Sequence, residues 1–473
     1  MTAAPLAVVL PAAPPAERVP YKWKVLVSVV FGVFMSTLDT TAVNVAFPTL
    51  KAEYGATLYD AQWIVSVYVM ALGIATPAAG FLADRFGIKR IYVLGLAIFV
   101  AGSLAAALAP TLGTLVAARA VKGLGGGIAM PCATAMLFRA FDRKELGFAL
   151  GIFGVALLFA PALGPVMAGV LIDHHHWRWI FLINVPIGLL GVGLASRFLR
   201  EERAGRVPRW DGWGLTFAAA GFGSLLYAAS IVTQRGWHAP AVVTSLVFAT
   251  LALAALGLVE LRHAPDPLLD LRLFRRRTFL VATLVGYVTV VAFFGAEFLM
   301  PVYLQAVRGR SALDAGMALL PLALGAGITM PIAGKLYDRI GPRPLILVGF
   351  ALLVYNTWEL SHLTATTSYR FILFLMAVRG LALGIAVQTP FTAALASVSL
   401  DAVPRASSLV ISTRLAMQAI GVAVLATVLS NASDLGGFAR AYHLTFGLAL
   451  GALGLGLFLP GWPRPWRPLV QDS

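Results

Sequence analysis

The chain has 473 residues, of which 59% are hydrophobic and 12% are charged, and its mean hydropathy is +0.84. A soluble domain is about half apolar and about a quarter charged, so this composition excludes a soluble globular protein. The net charge of +15 does not require a nucleic-acid partner, because basic residues also mark the cytoplasmic side of membrane proteins.

Apolar stretches long enough to cross a bilayer follow one another along the chain. About 20 such residues span the hydrocarbon core as a helix. Breaking the sequence at charged, Pro-rich and Gly-rich stretches therefore predicts an all-α membrane protein with 14 transmembrane helices. The predicted spans are 24–47, 61–83, 91–109, 112–137, 147–171, 179–198, 213–233, 240–261, 279–303, 314–334, 344–360, 370–396, 406–430 and 441–461.

The two ends of the chain are expected to be tails. The first 20 residues contain five prolines and no positively charged start, unlike a signal peptide. We therefore expect a disordered cytoplasmic tail over 1–21 and a second cytoplasmic tail over 462–473.

The distribution of basic residues predicts the orientation. With the N-terminus inside, 25 of the 36 lysines and arginines fall in cytoplasmic segments, seven fall outside and four lie within spans. This bias favours cytoplasmic N- and C-termini in the inner (plasma) membrane. The single cysteine, Cys132, excludes an intrachain disulfide.

An internal repeat divides the chain into two halves. "GFLADRFGIKR" at 80–90 and "GKLYDRIGPRP" at 334–344 share G-x-L-x-D-R-x-G, each after the second span of its half. Such repeats are typical of alternating-access transporters. We expect two pseudo-symmetric six-helix bundles, with cytoplasmic loops and two inserted linker helices between them, over 22–200, 279–461 and 201–278, respectively.

These features resemble the major facilitator superfamily, in particular its fourteen-span drug:proton antiporter branch. Besides the 80–90 loop, the resemblance rests on "LDTTAVNVAFP" at 38–48, "GVALLFAPALGPVMAG" at 154–169, "WRWIFLINVPIG" at 177–188 and "PVYLQAVRGRSALDAG" at 301–316. The fourth-span motif "RAVKGLGGGIAMP" departs from the branch, which usually has glutamine where Lys122 stands. This second cation near Arg119 changes the local charge balance.

The resemblance implies a role for two groups of residues. The gating loop motif comprises Gly80, Asp84, Arg85, Gly87 and Arg90, with Asp338 and Arg339 in its second copy. Asp84 is expected to cap a neighbouring helix, and Arg85 and Arg90 to complete a charge latch; an orientation signal alone is the alternative. The antiporter motif in the fifth span comprises Pro161, Gly164, Pro165 and Gly169. There the prolines are expected to bend the helix and the glycines to allow close packing.

Asp39 is an acid inside the first span, where an ionised carboxylate is costly and usually functional. The helical rise puts it about 12 Å below the outer surface and Arg119 about 10 Å below it, so the two can pair. Burial disfavours the charged form of a carboxylate, and a nearby cation favours it. A carboxylate subject to both effects can gain and lose a proton. We therefore predict proton coupling by Asp39, Arg119 and Glu297, the acid in the first span of the second half. A structural ion pair is the alternative for Asp39.

A set of polar and aromatic residues is expected to line a substrate cavity, although helix packing explains the same residue types. These residues are Asn44, Trp63, Tyr68, Lys122, Phe159, Phe293, Phe294, Arg379, Gln388 and Arg414. Asn44 belongs to a polar stripe with Thr37, Thr40 and Thr41, which we assign to helix packing or cavity lining.

The sequence favours a proton-driven exporter of hydrophobic, cationic or amphipathic compounds, without a cofactor and as a monomer. No phosphate-binding loop for ATP is present. The adjacent histidines of "DHHHW" at 173–177 converge poorly on a metal ion, so we expect no metal site. The alternatives are an exporter of one endogenous metabolite or antibiotic, an uptake permease, or a polytopic membrane enzyme, for which the loops show no catalytic cluster.

Overall fold

Long hydrophobic helices joined by short turns form the computed structural model. It describes residues 19–174, 176–202, 208–262, 267–310, 312–430 and 435–461, and only the backbone at 158, 161–162, 165–166, 173, 293–298, 312–313 and 430. Over these ranges the α-helices are α1 (Tyr21–Glu53), α2 (Leu58–Phe86), α3 (Ile88–Ala107), α4 (Leu112–Ala140), α5 (Leu146–His174), α6 (Trp179–Leu182), α7 (Asn184–Phe198), α8 (Gly212–Arg235), α9 (Pro240–Arg262), α10 (Arg277–Val302), α11 (Ala312–Ile340), α12 (Pro342–Ser361), α13 (Tyr369–Ala386), α14 (Gln388–Ala396), α15 (Val403–Ser430) and α16 (Leu435–Gly456).

Among the described residues, eleven helical segments are long and apolar enough to cross a membrane. They comprise α1–α4, α6 with α7, α8, α9, Asp314–Ile340, α12, α13 with α14, and Leu400–Leu429. Two more, Leu146–Leu157 and Arg277–Ala292, are shorter apolar helices. The last predicted span corresponds to α16, a 22-residue helix that carries Arg440 and His443. All the described secondary structure is helical, as predicted.

Local sequence signals set the helix ends. The Thr57 side chain accepts a hydrogen bond from Asp60 N (3.1 Å) and caps the start of α2. Thr111 and Thr114 form a capping box at the start of α4. Gly87, at φ +101°, makes the tight turn from α2 to α3. Several helices extend beyond the predicted spans. For example, α1 begins at Tyr21 rather than residue 24 and ends at Glu53 rather than residue 47.

Two predicted spans are broken in the middle. The span over 179–198 divides into α6 and α7 at Ile183, and the span over 370–396 divides into α13 and α14 at Val387. Pro186 and Pro390 occupy the third position of the second segment in each case. A proline ring clashes with the carbonyl four residues earlier, which here belongs to the last residue of the first segment.

The two halves meet along two helix pairs. Helix α5 packs against α11, and α2 packs against α15. A Cβ atom added at Gly80 would meet the Pro404 and Arg405 backbone, and one added at Gly147 would meet the Gly334 backbone. We call the side of the molecule that carries these close contacts the loop-80 face, after the 80–90 motif.

The inserted helices α8 and α9 lie beside this interface. Helix α8 packs on both α2 and α15, and Trp237, after its end, donates a hydrogen bond from Nε1 to Thr427 of α15 (2.8 Å). Helix α9 is only 22% buried over its apolar window. A helix that is apolar all round and exposed is suited to contact with lipid.

Candidate functional site

A buried charge cluster lies between α1 and α4. We define it as Asp39 of α1 with Arg119 and Lys122 of α4, and the start of α7 packs against it. Arg119 Nη1 forms an ion pair with Asp39 Oδ2, and Lys122 Nζ lies 2.6 Å from Asp39 Oδ1. Asn184 donates its amide to the same Oδ1 (3.2 Å). Arg119 also donates from Nε to the Ile64 carbonyl (2.9 Å). All three charged residues of the cluster have 0% exposure, so they interact without screening by water.

Aromatic rings enclose the two cations. The Arg119 guanidinium lies 4.3 Å from the centre of the Tyr68 ring. Lys122 Nζ lies 4.5 Å from the Phe99 ring centre and 5.4 Å from that of Phe181. A desolvated cation over an aromatic face gains about 2 kcal/mol, which offsets part of the cost of burial.

The α4 sequence brings these charges to one place. Arg119 and Lys122 are three residues apart and therefore project from the same side of the helix. Helix α3 lies close to α4 at two glycines. A Cβ atom added at Gly102 of α3 would lie 2.8 Å from Lys122 N, and one added at Gly125 of α4 would lie 2.6 Å from Phe99 N. Small residues thus let the two helices pack with their backbones close together.

The second half has a different arrangement around its own buried arginine. Arg379 donates to the Ala292 carbonyl (2.7 Å), to Asn356 Oδ1 (3.0 Å) and to Thr357 Oγ1 (3.2 Å). These partners are neutral, whereas Arg119 contacts a carboxylate. The side chain of Glu297, the predicted counterpart of Asp39, lies outside the described residues.

Two carboxylates connect the halves at the loop-80 face. Asp84 Oδ2 accepts a hydrogen bond from Arg405 Nε (2.8 Å). Asp338 accepts backbone hydrogen bonds from Gly147 N (2.8 Å) and Phe148 N (3.1 Å), at the start of α5. The helix dipole favours a negative charge there.

The basic residue that pairs with Asp84 is not one of those predicted for the charge latch. The cation opposite Asp84 is Arg405, one of the 25 basic residues in the predicted cytoplasmic segments. Arg85 instead donates to the Pro208 carbonyl (2.7 Å), and Arg90 lies 3.5 Å from Glu201. The prediction that Arg85 and Arg90 complete the latch is therefore wrong, because both contact the segment leading to α8. Arg339 is exposed.

In the antiporter motif, the two glycines differ in their surroundings. A Cβ atom added at Gly164 would clash with Thr41 Oγ1 of α1, whereas one at Gly169 meets no described atom within 4 Å. The expected close approach therefore holds for Gly164 and is wrong for Gly169. The Pro161 and Pro165 side chains lie outside the described residues.

Replacing Gly164 with valine is expected to destabilise the protein by about 1–3 kcal/mol, because the new side chain must push α1 and α5 apart. Gly169→Val is the matched control in the same helix. The measurement is the midpoint of thermal unfolding of purified protein in one detergent. Equal midpoints for the two variants would contradict the packing assignment.

The predicted cavity residues have different immediate neighbours in the structure. Trp63 stacks on Tyr227 of α8, with ring centres 5.8 Å apart, and Asn44 is exposed. Phe159 lies against Gly327 at the α5–α11 contact. A single cavity lined by the whole set stays a prediction.

The remaining predicted cavity residues lie in both halves of the chain. Tyr68 and Lys122 belong to the charge cluster or its surroundings, and Gln388 is buried near Gly154. Arg414 lies over the Phe391 ring (5.9 Å). Phe293 and Phe294 have side chains outside the described residues.

The threonines of the polar stripe on α1 form hydrogen bonds within the helix. The threonine stripe hydrogen-bonds mainly to its own helix, as in Thr37 Oγ1 to the Val33 carbonyl (3.0 Å) and Thr40 Oγ1 to the Ser36 carbonyl (3.2 Å). In the described part of the chain, no group of three or more His, Cys, Asp or Glu residues could hold a metal ion.

Comparison with known proteins identifies relatives along most of the chain. The profile of the Major Facilitator Superfamily matches residues 29–425. The chain is 34% identical over 452 residues to the methylenomycin A resistance protein of Streptomyces coelicolor, covering 93% of this chain and 91% of that protein. It is 33% identical over 417 residues to the multidrug resistance protein B homolog of Mycobacterium tuberculosis, covering 87% and 77%. The structure of the proton:xylose symporter XylE has a TM-score of 0.67 over 93% of this chain and 96% of the symporter, at 14% identity, which supports the fold alone.

Proposed function

Because the chain belongs to the Major Facilitator Superfamily, we propose that it is a proton-coupled antiporter that exports hydrophobic, cationic or amphipathic compounds by alternating access. Membership of this family makes it a multi-pass membrane transporter rather than an enzyme. Relatives named for drug resistance support efflux as the direction of transport.

The buried charge cluster is the observation that carries the coupling proposal. Holding α1 and α4 together with one carboxylate and two cations at 0% exposure costs the desolvation free energy of three charges. Apolar packing would hold the helices together without that cost. Ionisable residues at such depth usually mark a proton or ion pathway. We assign coupling to Asp39 and Arg119, and Glu297 remains a predicted second site.

Alternating access has a candidate gate at the loop-80 face. Asp84 with Arg405, and Asp338 with the start of α5, connect the two halves at that face. Charged hydrogen bonds of this kind form and break as two rigid bodies rock. The halves would then open and close around a site between them.

The proposed topology is fourteen spans in the plasma membrane, with the loop-80 face and both termini in the cytoplasm. The eleven candidate spans, the two shorter apolar helices and α16 together equal this number, which supports the count. The excess of lysine and arginine in the loops of that face supports the orientation. We expect a monomer, since each proposed half of the transport path lies within one chain.

A second candidate is an exporter dedicated to one antibiotic. The relative named for methylenomycin A resistance favours it, because that name specifies one compound and its protein matches 93% of this chain. A broad exporter and a dedicated one differ only in how many compounds they move.

Transport by purified full-length protein in proteoliposomes tests both candidates. With an acid lumen, a gradient of about one pH unit stores about 1.4 kcal/mol per proton, which supports about tenfold accumulation. Ethidium, tetraphenylphosphonium and methylenomycin A would be tested separately. We expect accumulation that collapses when nigericin dissipates the gradient and is absent from protein-free liposomes. Failure to move any compound, or indifference to the gradient, would contradict the proposal.

A further inference from the structure

The charge cluster contains one cation more than it has anions. Asp39 is the carboxylate that contacts both Arg119 and Lys122, and the nearby polar groups of Asn184 and Tyr68 carry no charge at neutral pH. The three charged residues are fully buried. An excess charge at such depth is costly, and the usual relief is the loss or gain of a proton.

The remaining surroundings of Lys122 do not balance this charge. From α3 and α6, the rings of Phe99 and Phe181 face Nζ. These rings attract the ammonium but have no proton to exchange. Among the described contacts, the ionisable groups facing Lys122 are therefore Asp39 of α1, Arg119 of its own helix, and the phenol of Tyr68 behind Arg119.

The three charged groups differ in their ability to remove the excess positive charge of the cluster. An arginine side chain does not lose its proton in proteins. Protonating Asp39 would remove the one anion that separates Arg119 from Lys122. If Lys122 loses a proton, the cluster becomes neutral, and the amine still has an N–H to donate to Asp39 Oδ1, 2.6 Å away.

We propose that Lys122 carries the transported proton, alternating between ammonium and amine while Asp39 stays a carboxylate held by Arg119. This inference rests on the proposed proton coupling and revises the assignment of the titrating group within it. The ammonium releases its proton to water on one side of the membrane, and the amine takes a proton from water on the other. On release, the Lys122 N–H bond breaks and an O–H bond of hydronium forms; on uptake, an O–H bond of hydronium breaks and the N–H bond re-forms.

A site large enough for about one water molecule lies beside the cluster. A small cavity lies against Asp39, lined also by Ala168 of α5, Ile180 of α6 and Asn184 of α7. Asp39 and Asn184 provide the polar partners that a bound water needs. The cavity is lined by α1, α5, α6 and α7 of the first half, so access to it would depend on rearrangement within that half during the transport cycle.

The protonation state of Lys122 can be measured without transport. The chain has seven lysines, so full-length protein labelled with ¹⁵N at the lysine side chains gives a countable set of NMR signals, and Lys122→Arg assigns one of them. We expect that signal to change from ammonium to amine at a lower pH than the signals of the six other lysines, which serve as internal references. A Lys122 signal that stays ammonium until the other lysines titrate would overturn the inference.

Transport by Lys122→Arg provides the second test. Arginine keeps the positive charge permanently, so we expect loss of gradient-driven ethidium accumulation with retained ethidium binding and exchange. Lys335→Arg, at an exposed lysine, is the matched control and should keep both activities. Gradient-driven transport by Lys122→Arg at the wild-type level would overturn the inference and leave the proposed function intact. Wild-type protein that ignores the gradient would instead refute the proposed function, and the NMR titration would still decide the state of Lys122.

Discussion

Asp39→Asn is expected to abolish gradient-driven transport and to destabilise the protein by about 3–5 kcal/mol, the usual cost of leaving a buried charge without its partner. Asp39 is the anion for both Arg119 and Lys122. With an amide in its place, two cations would lie in a fully buried cluster that has no anion. Because that state is costly, Lys122 would remain an amine and Arg119 would be left without a charged partner, so coupling would stop.

The matched comparison is Lys122→Gln, which removes one of two cations and leaves the pair of Asp39 with Arg119 intact. Its cost should be smaller, about 1.5–3 kcal/mol, the net value of one hydrogen bond to a charged group. Thermal unfolding midpoints of both variants in the same detergent measure the difference. Similar midpoints would show that Asp39 does not hold the cluster together.

The sequence predicted the helical architecture well because hydrophobic length determines it. Apolar runs and their basic flanks locate most helices to within a few residues. The breaks at Ile183 and Val387 were missed, although Pro186 and Pro390 signal them. A proline inside an apolar run affects the local hydrogen bonds without lowering hydropathy, so a span search based on hydropathy passes over it.

The charge cluster was predicted only in part. Depth along the helices indicated that Asp39 and Arg119 can meet, since both positions follow from the helical rise. The position of Lys122 on the same carboxylate, and the amide of Asn184, depend on which helix faces are turned towards each other. Helix rotation is set by side-chain packing between distant segments, which one sequence does not reveal. For the same reason, Arg405 was not recognised as the partner of Asp84.

Replacing both Asp84 and Asp338 with alanine is expected to open the loop-80 face. The variant loses the hydrogen bond to Arg405 and the two backbone hydrogen bonds at the start of α5. Hydrogen bonds to charged groups contribute about 1.5–3 kcal/mol each. Three such bonds contribute at least about 4.5 kcal/mol, and a net loss of only about 3 kcal/mol already changes the ratio of closed to open molecules by about 100-fold.

Distances between spin labels across the loop-80 face measure this shift. Lys144 and Lys335 are exposed near the two sides of the Gly147–Gly334 contact, and cysteines there can be labelled once the buried Cys132 is replaced by alanine. We expect a longer and broader distance distribution for the double alanine variant than for the parent. Asp142→Ala, at an exposed carboxylate of the α4–α5 turn, is the control and should leave the distribution unchanged. An unchanged distribution in the double variant would show that closure depends on the backbone contacts at Gly80 and Gly147 rather than on the carboxylates.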